Sequence, residues 1–86
     1  MNEELKIFKA LADETRLKII KILLKGEHCV CKIVPHTNRS QSTVSNQLSK
    51  LENLGIVKSK RDGRRICYYI VNDKIEKILN IFKKGV

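Results

Sequence analysis

The sequence predicts a mainly α-helical fold with one small β-hairpin, in the winged helix-turn-helix order of four helices, two strands and a final helix. Three patterns support this prediction: apolar residues at helical spacing up to residue 54, a β-branched and aromatic run beside an Asp-Gly pair, and a last amphipathic segment. A chain of 86 residues predicts one domain over residues 1–86. A domain this small has a thin core, and pairing of two copies often stabilises it.

The first two predicted helices meet at Asp13. The first covers residues 2–12, with Leu5, Phe8 and Leu11 at helical spacing. Asp13 is the expected N-cap of the second helix, which ends near residue 25 in front of a glycine. Lysines interrupt the apolar runs, so we expect neither a membrane span nor a signal peptide, and we expect a cytoplasmic protein.

Residues 29–54 predict two short helices joined by a tight polar turn, which is a helix-turn-helix. The third helix starts near Cys29–Cys31 and is limited by Pro35, because proline removes a helix hydrogen bond. Residues 36–39 form the turn, and Ser40 is the expected N-cap of a fourth helix over about 41–54. The apolar side of this helix, at spacings of four and three, carries Val44, Leu48 and Leu51.

The rest of the chain predicts a β-hairpin and one more helix. The β pattern runs from residue 56 to residue 71, and Asp62-Gly63 marks the hairpin turn. Asp73, with Glu76 three residues later, begins the last helix. The apolar face of that helix carries Ile75, Ile78, Leu79 and Phe82.

The charge distribution favours double-stranded DNA as the partner. The formal net charge is +9, which favours an anionic partner, either nucleic acid or a membrane surface. Residues 28–72 carry eight basic and two acidic residues, against six basic and five acidic residues in 1–27. Because the excess falls on the predicted helix-turn-helix and hairpin, we expect DNA and no membrane.

The fourth helix and the hairpin carry the expected DNA contacts. The second helix of a helix-turn-helix enters the major groove, where Gln and Asn bond adenine edges and Ser and Thr bond phosphates or bases. A basic hairpin beside it can bind phosphates or enter the minor groove. The predicted contacts are Ser40, Gln41, Ser42, Thr43, Ser45, Asn46, Gln47 and Lys50 in the helix, and Lys58, Lys60, Arg61, Arg64 and Arg65 in the hairpin. A merely solvated polar face and a generally lysine-rich chain are the alternative explanations.

An enzymatic function is not expected. The sequence has no Gly-rich phosphate loop, no set of nucleophile, base and acid, and no paired carboxylate site, and we expect no required cofactor. Two other function classes stay open: a metal-buffering cysteine module, and a winged-helix protein-interaction domain without a DNA role. DNA binding with a steep salt dependence would separate a regulator from both.

The sequence resembles the arsenical-resistance-repressor (ArsR) family of winged-helix repressors. The resemblance spans roughly residues 8–71 and lies in LADETRLKI at 11–19, EHCVC at 27–31, SQSTVSNQL at 40–48, LENLGIV at 51–57, and RDGRR at 61–65 followed by Tyr68-Tyr69. It implies a homodimer built through the first and last helices, within 1–12 and 73–86. It also implies a repressor that leaves its operator, expected to be an inverted repeat, when an inducer binds.

Cys29 and Cys31 fall where the arsenic- and metal-sensing members of that family keep thiolates, although the position of the third cysteine holds Val34. In a regular helix these two side chains point about 200° apart, so they share an ion only if the helix start is irregular. Thiolates suit As(III), Cu(I), Cd(II) or Zn(II), and His28 or His36 could add a ligand.

The inducer stays open at this point. The candidates are arsenite or a soft metal ion at Cys29 and Cys31, reversible oxidation of the thiols, or no sensing at all. Zinc-type members place acids and histidines on the last helix, which here offers Asp73 and Glu76 but no histidine. Three cysteines without a signal peptide argue against a disulfide scaffold, and Cys67 is expected to pack within the hairpin.

Overall fold

The computed structural model describes residues 2–84, with side chains up to Lys83. The predicted order of four helices, a hairpin and a final helix is confirmed, with one additional short strand and a 3₁₀ turn. The elements are α1 (Glu3–Leu11), α2 (Glu14–Leu23), β1 (His28–Cys29), α3 (Val30–Ile33), a 3₁₀ turn (Val34–His36), α4 (Gln41–Asn53), β2 (Val57–Asp62), β3 (Arg65–Ile70) and α5 (Lys74–Lys84).

The predicted helix starts at Asp13 and Ser40 are confirmed. The Asp13 carboxylate accepts a hydrogen bond from the backbone N–H of Arg16 at 3.0 Å, and the Ser40 hydroxyl accepts one from the backbone N–H of Thr43 at 3.1 Å. Each bond satisfies a donor that the helix itself leaves unpaired. Among residues 2–84, no helix combines the length and the apolar character needed to cross a membrane.

The start of α5 differs from the expectation in one detail. The sequence places the start at Asp73, whereas the capping hydrogen bond comes from Asn72, whose side-chain oxygen accepts from the backbone N–H of Lys74 at 3.0 Å. Asn and Asp both favour such short side-chain-to-backbone bonds. Two adjacent residues of this type therefore compete for the same role, and sequence alone does not rank them.

The core lies where α2, α4 and the sheet meet, and every helix contributes to it. The predicted stripe of α4 is confirmed, since its three apolar residues are fully buried. The buried apolar residues are Ile7, Ala10, Ile19, Ile20, Leu23, Ile33, Val44, Leu48, Leu51, Ile56, Val57, Tyr68 and Ile75. This core fixes α4 with its polar side turned outward.

The terminal helices use only part of their apolar surface in the core. In α1 the buried residues are Ile7 and Ala10, whereas Leu5 and Phe8, whose spacing predicts the helix, are 47% and 61% exposed. In α5 Phe82, assigned to the apolar face, is 70% exposed. Both helices are apolar on more than one side, and a single chain provides a core for only one of those sides.

The sheet has three antiparallel strands in the order β1-β3-β2. In the hairpin Asp62 pairs with Arg65, so the loop consists of Gly63 and Arg64 rather than of the Asp-Gly pair. Gly63 has a φ of 63°, which glycine adopts without steric cost at the first position of a two-residue loop. β1 is not predicted by the sequence, because two residues carry no readable alternation.

Candidate nucleic-acid interface

The outward side of α4 is polar along most of the helix. Because the opposite side is buried in the core, the polar side chains are held in solvent at fixed positions. Thr43, Ser45 and Gln47 are half-buried, and the exposed members are Gln41, Ser42, Asn46, Ser49 and Lys50. Amide and hydroxyl groups in this arrangement can bond the edges of bases in a major groove.

The first turn of α4 is fixed by a group of hydroxyls. Besides accepting from the Thr43 backbone, the Ser40 hydroxyl lies 3.0 Å from the Thr43 hydroxyl, to which it donates, and 3.1 Å from that of Ser42. The preceding turn is closed by Asn38, whose positive φ of 57° is tolerated by Asn. Ser40 therefore positions the turn that is expected to enter the groove.

Gln47 has a structural partner that the sequence analysis missed. Its side-chain oxygen accepts a hydrogen bond at 2.9 Å from Arg16, whose guanidinium also donates to the carbonyls of Lys9 and Ala10 at 2.8 and 3.3 Å. Arg16 thus joins the end of α1 to α4 and occupies one of the two acceptor sites of the Gln47 oxygen. No spacing rule connects residues 16 and 47, so no sequence signal indicates this contact.

The hairpin presents its basic residues at its tip and on both faces. Lys58, Arg61, Arg64 and Arg65 are exposed, with Arg64 in the loop itself. Lys60 is also exposed, but its ammonium lies 3.0 Å from the carboxylate of Glu27. A hydrogen bond to Glu27 and its negative charge raise the pKa of Lys60. Lys60 is therefore partly neutralised, whereas the other four basic residues have no ion pair with any residue that the structure describes and are available to phosphates.

A side-chain bond joins the hairpin to α4. The Ser59 hydroxyl, on β2, donates to the carboxylate of Glu52 near the end of α4 at 3.1 Å. Val57 on the same strand is buried against the core. These contacts therefore hold the hairpin against the end of α4.

The structure places Cys29 opposite Cys67, a pairing that the sequence does not predict. Cys29 lies in β1 directly opposite Cys67 of β3, while Cys31 lies in α3 and is exposed. A hydrogen bond to the Cys29 side chain and burial raise the pKa of Cys67 to about 11. Cys67 is buried, as expected for a packed residue. Within the described part of the chain, no group of three His, Cys, Asp or Glu side chains is arranged to hold a metal ion.

Exposed apolar side chains on α1 and α5 make up a candidate docking surface. We call it the α1–α5 surface; its exposed apolar residues are Leu5, Phe8, Ile81 and Phe82. An ion pair between Glu3 and Lys74 holds the starts of the two helices together. Four large apolar side chains on two adjacent helices are typical of a surface that a partner covers.

The sequence profile of the family described as "Bacterial regulatory protein, arsR family" matches residues 13–59, which is more than half of the chain. The chain belongs to this family. It is a DNA-binding transcriptional regulator with a winged helix-turn-helix fold, as the ArsR resemblance implies.

Relatives and solved structures agree with this assignment. An HTH-type transcriptional regulator of Methanocaldococcus jannaschii is 43% identical over 87% of this chain and 85% of its own length. The cadmium resistance regulatory protein CadC of Listeria innocua is 44% identical over 92% of the chain, which spans 65% of CadC. The transcriptional repressor BigR of Xylella fastidiosa superposes with a TM-score of 0.89 at 29% identity, covering 96% of this chain and 85% of BigR.

The oligomeric state of one structural relative is known. A winged helix-turn-helix DNA-binding domain from Mycobacterium bovis, described as homodimeric, superposes with a TM-score of 0.84 at 29% identity. The match covers 96% of this chain and 77% of that domain.

Proposed function

We propose that this regulator is a homodimeric repressor that reads an inverted-repeat operator with α4 and binds the flanking backbone with the hairpin. The observation that carries this proposal is the polar outward side of α4 joined to a basic hairpin through Ser59 and Glu52. Because its target would be operator DNA, we also propose that the protein is cytoplasmic.

The two parts of the interface have different tasks in this proposal. Gln41 and Asn46, exposed on α4, select bases, because their amides can bond adenine in a bidentate way. Arg64 and Arg65, at and beside the hairpin tip, supply affinity through phosphates and carry little sequence information. Ser40, Ser42, Thr43, Ser45 and Lys50 support the first task. Lys58 and Arg61 support the second, to which Lys60 contributes less because it is paired with Glu27.

Dimerisation is proposed to occur through the α1–α5 surface, within residues 1–12 and 73–86. Exposed phenylalanines on both helices support this, since water contact with large aromatic rings is costly. A two-fold dimer would place two copies of α4 about 34 Å apart, one turn of the double helix. The operator would then be an inverted repeat with the same spacing.

A thiophilic ion at Cys29 and Cys31 is the proposed inducer. Cys29 is the N-cap of α3, with φ −73° and ψ 154°, so its side chain lies outside the regular turns that would hold the two thiols about 200° apart. Relatives named for cadmium and mercury resistance, at 44% and 39% identity, favour a soft ion. With two thiols as donors, two-coordinate binding is the form that the residues support.

The experiment is a fluorescence-anisotropy titration of the DNA duplex that the protein enriches from a random-sequence pool. Asn46→Ala should weaken binding to this duplex by about 1–3 kcal/mol and binding to a scrambled duplex much less. Asn53→Ala is the matched control, since Asn53 is an exposed asparagine at the far end of the same helix. Equal loss on both duplexes, or equal effects of the two variants, would contradict base reading by α4.

A further inference from the structure

Cys29, one of the two thiols of the proposed ion site, forms a cross-strand pair with Cys67, which that site does not use. In the register of β1 and β3 the two residues stand directly opposite each other. Directly opposed residues of antiparallel strands have Cα atoms about 4.5–5.5 Å apart. Disulfides span Cα separations of about 4.4–6.8 Å. The backbone therefore already holds these two cysteines at bonding distance.

The two cysteines of the pair differ in exposure. Cys67 is 2% exposed and sits on the central strand, with Cys29 on one side and Lys60 on the other. The ion pair of Lys60 with Glu27, two residues before Cys29, lies on the same face of the sheet. Cys29 is only half-buried, so a small reagent can reach it while Cys67 stays covered.

We propose that Cys29 and Cys67 are an oxidisable dithiol, which a peroxide converts into a disulfide that ties β1 to β3. The Cys29 sulfur attacks the O–O bond of the peroxide and becomes a sulfenic acid, releasing water when the oxidant is hydrogen peroxide. The Cys67 sulfur then attacks the Cys29 sulfur, the S–O bond breaks, and hydroxide leaves with the Cys67 proton as water. Two thiols lose two electrons, and one peroxide becomes two waters.

The disulfide acts on the DNA-reading unit through α3. Cys29 is both the end of β1 and the N-cap of α3, the first helix of the helix-turn-helix. The bond brings the Cys29 sulfur to about 2 Å from the sulfur of Cys67, which belongs to the hairpin. The bond therefore ties the start of α3 to the hairpin, and the helix-turn-helix and the hairpin can no longer adjust to each other on DNA. The effect on DNA binding rests on the proposed function, whereas the formation of the bond does not.

Bond formation is tested by treating the reduced protein with hydrogen peroxide and digesting it with trypsin without reductant. We expect the peptide of residues 26–32 to be joined to that of residues 66–74, with a loss of two hydrogens. Because the first peptide holds two cysteines, Cys31→Ser is the matched control and should form the bond at the wild-type rate. Cys29→Ser should not form it, and Cys67→Ala should not either.

Two results would overturn the assignment of the pair. One is a linkage that survives Cys29→Ser, and the other is oxidation that joins two chains through Cys31. The thermal midpoint gives an independent readout, since a bond that closes the loop between residues 29 and 67 should raise it by about 15–30 °C in the wild type and in Cys31→Ser only.

DNA binding is measured on the same samples, with the duplex that the reduced protein enriches from a random-sequence pool. Oxidation should weaken binding at least tenfold, reductant should restore it, and Cys29→Ser should not respond. A disulfide that forms without changing the affinity would overturn the coupling to DNA. A reduced protein that enriches no sequence would instead contradict the proposed function and leave the peptide result standing.

Discussion

Phe82→Ala tests the α1–α5 surface, and the structure sets the size of its effect. Phe82 is 70% exposed, and a phenylalanine carries about 200 Å² of accessible surface, so about 140 Å² meets water in one chain. A symmetric dimer covers this area twice, which at about 25 cal/mol per Å² contributes up to about 7 kcal/mol. Truncation to alanine keeps part of the contact, so we expect a loss of about 3–4 kcal/mol, or two to three powers of ten in the dimer dissociation constant.

Sedimentation equilibrium over nanomolar to micromolar concentrations measures this change. Ile66→Ala is the matched control, because Ile66 is an exposed apolar residue at 40% but lies on the hairpin. We expect Ile66→Ala to dimerise like the wild type and both variants to keep their helical content. A Phe82→Ala protein with the wild-type dissociation constant, or a wild type that is monomeric at micromolar concentration, would refute the reasoning.

Three more changes test other parts of the structure. Arg64→Ala should weaken binding to all DNA sequences alike and flatten the slope of log affinity against log salt concentration by about one unit per lost phosphate contact. Lys77→Ala on α5 should change neither the affinity nor the slope, and a loss confined to one DNA sequence would contradict the prediction. Arg16→Met should lower the free energy of unfolding by about 2–3 kcal/mol in urea denaturation, because three hydrogen bonds are lost, while Arg61→Met should have little effect. The hydrogen bond from the Arg16 backbone lowers the pKa of Asp13 below 3.8. The ionised Asp13 side chain therefore stabilises the folded protein above pH 3.8, and this stabilisation is lost as the pH falls through the pKa of Asp13 in the folded protein. Asp13→Asn keeps an N-cap but has no carboxyl to titrate. The free energies of unfolding of the wild type and of Asp13→Asn, measured between pH 2 and 7 (about the range in which a carboxyl titrates), should therefore differ only at the acid end.

The features that the sequence predicts depend on residues close together in the chain. Asp13 and Ser40 cap the helices as expected, since an N-cap acts on an N–H two or three residues away. The buried apolar residues of α4 and the position of the hairpin are also predictable, because helical and strand periodicity repeat within a few residues. The candidate DNA-binding surface could therefore be outlined from the sequence.

The features that the sequence does not predict depend on distant partners. Arg16 bonds Gln47, Glu27 pairs with Lys60, and Cys29 meets Cys67, across 31, 33 and 38 positions of the chain. No local rule selects such partners, because they are brought together by packing. The exposure of Phe8 is a related case, since periodicity identifies an apolar side of a helix without showing what covers it.

The most direct test of the central claim is a hydroxyl-radical footprint of the protein on the duplex enriched from a random-sequence pool. If two copies of α4 and two hairpins bind together, the duplex is an inverted repeat, with two protected regions about one helical turn, or a multiple of it, apart. Arg64→Ala should then remove protection at the outer edges of both regions together. A single protected region, or protection that is uniform along the duplex, would contradict a dimeric repressor that reads DNA through α4.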